Sequence, residues 1–121
     1  MTGRQVGRVA FTAVVVLSLV VLFTPASGVP TDVAVSDKLI HFLLFAALAL
    51  TGRWAGLPAA YVLVGLVAYA GVSEVLQSTL PIQRDGDVRD ALADSAGVLT
   101  GLAVALVLRR GSTVRDETVV N

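Results

Sequence analysis

The chain has 121 residues, 55% of them hydrophobic and only 15% charged, and its nine basic and nine acidic side chains cancel. A soluble domain carries about a quarter charged residues interspersed with apolar ones, whereas here the charges cluster between long apolar runs. The length suits one domain, the absence of cysteine excludes disulfides and thiolate metal sites, the balanced charge gives no field for nucleic acid, and the single histidine, His41, excludes any site needing two imidazoles from one chain.

Four apolar segments follow in chain order. Residues 9–23 carry no charge, with Arg4 and Arg8 before them and Pro25 and Gly28 after. A helix over 6–24 would be about 28 Å long, close to a bilayer core of about 30 Å. The basic start and the small residues Ala26, Ser27 and Gly28 also fit a secretory signal, but the length favours a retained span. A second span over 37–54 takes Asp37, Lys38 and His41 into its first turns. The third, 58–80, is opened by Pro58, whose missing amide costs nothing at a helix start, and is stopped by Pro81. The fourth, 91–108, ends in Arg109 and Arg110 and carries Ala93, Gly97, Gly101 and Ala105 at every fourth position, a stripe that lets another helix approach closely. Gly97 and Gly101 therefore offer a contact for a homo-oligomer. Residues 111–121 read as a loose polar tail.

This pattern predicts an all-α fold, a polytopic membrane protein built as a four-transmembrane-helix bundle, with the whole of 1–121 forming one domain in the lipid bilayer. Counting basic residues in the short connections sets the orientation. One side holds Arg4, Arg8, Arg53, Arg109, Arg110 and Arg115, the other Lys38, Arg84 and Arg89. The expectation is a multi-pass protein with both termini cytoplasmic, and with segments 32–41 and 84–94 outside.

Several polar residues then need a reason to be in a membrane. Glu74 lies seven residues before Pro81, about 10 Å along the helix from the outer end. An acid at mid-membrane costs on the order of 2.5 to 3.5 kcal/mol, so Glu74 should face the bundle interior with a partner or be protonated. Gln77 is one turn further out on the same face. The pair either locks helix packing through hydrogen bonds or belongs to a functional site. Asp37 and His41 are four apart, so the carboxylate can fix the imidazole tautomer and make His41 an acid, a base or a ligand. The plainer alternatives are that Ser36 or Asp37 caps the helix, that Lys38 snorkels, and that His41 is packed in the core. Arg84, Asp85, Gly86, Asp87, Arg89 and Asp90 form a dense polar turn in which Asp87 reads as the helix cap. Asp90 and Asp94 continue onto the face of Gly97 and Gly101, which points them into the bundle. Arg84 can pair with these acids or bind a phosphate headgroup bidentately. Helical spacing thus brings Asp37, Lys38, His41, Glu74, Gln77, Arg84, Asp90 and Asp94 to one end of the bundle.

These residues resemble a pattern of the VanZ-like membrane proteins, named for an accessory protein of teicoplanin resistance. The family's Asp-Lys-x-x-His-Phe matches Asp37, Lys38, His41 and Phe42, its Glu-x-x-Gln matches Glu74 and Gln77, and its following Pro, Arg and Asp match Pro81, Arg84 and Asp90. Its final Asn-x-x-Gly stands here as Asp94 and Gly97, with the asparagine replaced by its acid. The resemblance implies an integral protein of the bacterial plasma membrane associated with the cell envelope, in some members with reduced susceptibility to lipophilic glycopeptides, and it supplies no mechanism.

Three functions compete. The outer polar pocket can bind an envelope lipid or glycopeptide-related ligand, through Asp37, Lys38, Gln77, Arg84, Asp90 and Asp94. It can instead be the centre of a membrane-embedded enzyme acting on an envelope lipid or glycan, with His41 and Glu74 as acid and base, or with His41, Glu74 and Asp90 holding a divalent metal. One imidazole among carboxylates suits a magnesium- or manganese-like ion better than structural zinc, although no cofactor is required. The third is a small proton-coupled transporter in which Glu74 and Asp94 titrate.

Overall fold

The computed structural model describes residues 1–24, 34–81 and 88–120. They form four helices, α1 (Gly3–Phe23), α2 (Ala34–Trp54), α3 (Ala59–Thr79) and α4 (Val88–Val120). The all-α expectation holds, and three helical segments are long and apolar enough to cross a membrane: α1, α3 and the Val88–Ser112 part of α4. α2 is as long as α1, but Asp37, Lys38, His41 and Arg53 make it more polar, and it is not among the three.

Local chemistry sets the helix ends. Thr2 and Gln5 form a reciprocal capping box, in which the Gln5 amide donates to Thr2 Oγ1 at 3.2 Å and the Thr2 amide donates to Gln5 Oε1 at 2.7 Å. This starts α1 at Gly3, three residues before the helix expected over 6–24. α2 ends in a Schellman turn: the Leu57 amide donates to the Gly52 carbonyl at 3.1 Å and the Gly56 amide to the Arg53 carbonyl at 3.0 Å. Gly56 sits at φ +95°, a conformation that side chains rarely adopt. Pro58 then caps α3 from just outside it, its carbonyl accepting from the Val62 amide at 3.1 Å.

The expected loose tail is a correction. α4 runs on through Arg109 and Arg110 to Val120, because no proline follows and each amide still finds a carbonyl four residues back. Asp87, expected as its cap, lies outside the described residues.

α2 is the hub. It packs most extensively on α4 and is flanked by α1, while α3 leans mainly on α4. Leu22, Phe45, Leu48, Ala49 and Val98 are fully buried at the centre. The small-residue stripe of α4 is what lets the hub form. A Cβ on Gly97 would overlap the Phe42 carbonyl, and one on Gly101 would overlap the Ala46 carbonyl, so the two backbones are in direct contact. Both glycines, expected as a contact for a homo-oligomer, are buried against α2 of the same chain.

On the other side, α1 is tied in by polar contacts. Ser18 is fully buried and donates to the Val15 carbonyl at 2.7 Å, which leaves the Tyr69 hydroxyl to donate to Ser18 Oγ at 2.9 Å. Tyr69 in turn lies against Phe45, with ring centroids 5.5 Å apart.

Candidate functional site

The polar residues gather at one end of the bundle, where the start of α2, the end of α3 and the start of α4 meet. His41 is at the centre and 1% exposed. Its Nδ1 lies 2.8 Å from Oδ1 of Asp94, which is fully buried. An ionised Asp94 can only accept, so this contact places a ring proton on Nδ1, and in the neutral imidazole Nε2 is then the atom with the lone pair. Among the described residues Nε2 has no hydrogen-bond partner, and it points toward Asp37, whose Oδ2 is 3.8 Å away. The expected Asp37 and His41 neighbourhood is present, but Asp94, from another helix, is the closer partner.

Asp90 is one turn before Asp94 on the same face and accepts from Lys38 Nζ at 2.8 Å. That pair ties the first turns of α2 and α4 together above the glycine seam. Lys38 is half-exposed, and its head reaches a carboxylate as well as the surface. Glu74, nine-tenths buried as its membrane penalty requires, reaches the same centre from α3. A carboxylate oxygen of Glu74, a carboxylate oxygen of Asp94 and a ring nitrogen of His41 all lie within 4.8 Å of one another. The same holds for Asp37, His41 and Asp90.

Gln77 has a different task. Its Nε2 donates to the Leu22 carbonyl at 2.7 Å, at the last turn of α1, where carbonyls lack helical partners. Gln77 thus caps α1 from α3, the packing alternative weighed for it. Arg84 lies outside the described residues.

Among the described residues, the centre brings four carboxylates (Asp37, Glu74, Asp90 and Asp94) together with the Lys38 ammonium and the His41 imidazole. The donor set fits a hard divalent ion: each three-residue group pairs His41 with two carboxylates. His41 belongs to both groups, while Asp94 Oδ2 is a further buried oxygen with no hydrogen-bond partner among the described residues.

The fold and site define a small helical protein of membrane type with an ionisable cluster buried at one end of its bundle. The sequence matches the VanZ/LLP1 family over residues 9–109, most of the chain, and the protein belongs to that family. No curated protein and no solved structure matches it.

The sequence offered no signal for two contacts that complete this end. Asp94 and His41, and Lys38 and Asp90, join residues more than fifty positions apart. Periodicity assigns each residue to a face but does not give the rotation of one helix against another. The stripe of Gly97 and Gly101 was the available clue, since it turns Asp90 and Asp94 toward whichever helix packs on it.

Proposed function

We propose that this VanZ-family protein is a multi-pass protein of the bacterial plasma membrane, with α2 as a fourth span, both termini cytoplasmic and the His41 cluster near the outer surface. There it binds or modifies an envelope component and so lowers susceptibility to lipophilic glycopeptides such as teicoplanin. Two features support α2 as a span: its charges lie at its two ends, and Lys38 is neutralised by Asp90. The basic-residue count supports the orientation.

The observation that carries the reading is the buried His41, held at Nδ1 by Asp94 while Nε2 lies 3.8 Å from the Asp37 carboxylate. An imidazole fixed in this way presents a defined acceptor to a ligand proton, and Glu74 supplies a carboxyl group beside it. The test expresses the wild type, Glu74→Gln and His41→Ala at matched membrane levels in a susceptible Gram-positive host and measures growth inhibition by teicoplanin. Protection by the wild type, partly kept by Glu74→Gln and lost in His41→Ala, is the result expected of a binding pocket. No protection by any of the three sinks the resistance role.

The two groups of ligating atoms that share His41 favour a second reading, a metal-assisted enzyme acting on an envelope lipid or glycan. A bound magnesium- or manganese-like ion would supply Lewis acidity, held by His41 with either Glu74 and Asp94 or Asp37 and Asp90, since the expected trio of His41, Glu74 and Asp90 is split between these two groups. Purified protein then carries about one divalent ion per chain that His41→Ala loses, and Glu74→Gln abolishes protection. Metal-free, fully protective protein returns the choice to binding.

A further inference from the structure

The opposite end of the bundle holds a second site. A cavity of about 610 Å³ opens there between α2 and α4, with Arg4, Arg53 and Arg109 at its polar rim and Leu50, Ala105 and Leu108 among its apolar walls. The arginines come from three different helices. Two of them are positioned by the Schellman turn that ends α2. Arg53 Nη1 donates to the Leu57 carbonyl at 2.7 Å, and the Arg4 side chain lies over Gly56 so closely that an added Cβ would stand 2.8 Å from its Nε.

Neither Arg4 nor Arg53 pairs with a carboxylate among the described residues. The sequence explains this, because segments 1–31, 38–73 and 95–115 contain no Asp or Glu. No carboxylate among the described residues supplies their counter-charge, which leaves both guanidinium groups open to an external anion. Guanidinium groups in a fixed fork match phosphate oxygens, and the apolar walls below match an acyl chain. Trp54, half-exposed beside them, is the residue type that settles at a headgroup boundary.

We propose that this cavity binds an anionic phospholipid, with its phosphate on Arg4 and Arg53, Arg109 at the rim, and the start of an acyl chain against Leu50, Ala105 and Leu108. The site is separate from the His41 cluster and stands whether or not that cluster proves functional. It gives the turn between α2 and α3 a fixed place at the membrane surface.

The test uses the full chain in detergent and follows thermal unfolding and native mass spectrometry with phosphatidylglycerol, phosphatidylcholine or inorganic phosphate. Phosphatidylglycerol should raise the melting temperature and remain bound, and the other two should do neither. Arg4→Ala and Arg53→Ala should each weaken apparent phosphatidylglycerol affinity about fivefold, the effect of one basic residue at an anionic surface. Arg53→Lys, which keeps the charge and loses the fork, serves if an alanine variant fails to fold, and should show a smaller loss. Arg8→Ala, exposed at the same end but outside the cavity, should change little. Equal stabilisation by phosphatidylcholine, or an equal response to inorganic phosphate, overturns the assignment to an anionic lipid. An Arg8→Ala loss as large as that of Arg4→Ala overturns the built site in favour of diffuse surface charge.

Discussion

The two flanks of α2 are built from similar residues and pack differently. Against α4, glycine and alanine bring the backbones into contact, and a Cβ at Gly97 or Gly101 has nowhere to go. Against α1 and α3, close backbone contact is confined to Gly7 of α1, which meets the Trp54 and Ala55 backbone at the end of α2, and the rest of the interface is larger-sided and looser. A cavity of about 350 Å³ remains between Phe11, Val15, Leu48, Leu66 and Tyr69, and Gly65 at its edge meets nothing within 4 Å. In water both flanks would be squeezed by the same hydrophobic force. Between membrane helices that force is absent, because lipid tails are as apolar as leucine, and what remains is shape fit and hydrogen bonding. The seam has the shape fit and carries Lys38, His41, Asp90 and Asp94 at its top. The flank has one buried hydroxyl pair, Ser18 and Tyr69, and the Gln77 cap on α1.

Unfolding measurements in detergent can break that contrast, and the largest effect belongs to the seam. Gly97→Val puts three carbons where the Phe42 backbone lies, and neither main chain can give way as a flexible side chain would. The expected loss is about 3 kcal/mol, the upper part of the range for overpacking, with the His41 cluster disrupted as well. A Gly97→Val protein as stable as the wild type would mean that α2 and α4 do not meet here.

Asp94→Ala should come next. It leaves His41 Nδ1 buried without its acceptor, a cost of about 1 to 3 kcal/mol. Asp94→Asn restores the residue that the family pattern carries, and its side-chain oxygen can still accept from Nδ1. It should fold nearly as well as the wild type, so any difference in protection or metal content reports the carboxylate charge alone. If Asp94→Asn is as unstable as Asp94→Ala, the charge rather than the hydrogen bond holds His41. On the flank, Tyr69→Phe removes one hydrogen bond between membrane helices, about 0.6 kcal/mol on average, and should be the mildest of these losses.

Much of this arrangement was legible in the sequence, for reasons that differ by residue. Four helices follow from apolar runs broken by proline and glycine. The inward face of Asp90 and Asp94 follows from their spacing to Gly97 and Gly101, and burial of Glu74 follows from the price of an acid in lipid. Helix ends were read less well. The start of α1 depends on a capping box at Thr2 and Gln5 that apolar periodicity ignores, and α4 outlasts its apolar run, an end that apolar periodicity cannot locate. Gln77 looked like a partner for Glu74, yet its amide serves the last turn of α1, a contact set by how α1 crosses α3. Pairing between helices was the illegible part. Asp37 is four residues from His41 and was the natural partner on one helix, while the shorter contact comes from Asp94, fifty-three positions away.

The smallest predicted effect sharpens the comparison from the loose side. Gly65 is exposed in the middle of α3 and has open space where a Cβ would sit. Gly65→Ala therefore removes backbone freedom from the unfolded chain without overlapping anything, and should leave stability unchanged or raise it by about 0.4 to 1 kcal/mol. The same change at Gly97 should lower it, since there the added carbon meets backbone. Opposite signs for one substitution on two helices would show that the glycines of α4 are a contact surface and that Gly65 is not. Destabilisation at both positions would instead mean that a further helix, from a second copy or another protein, packs closely on α3.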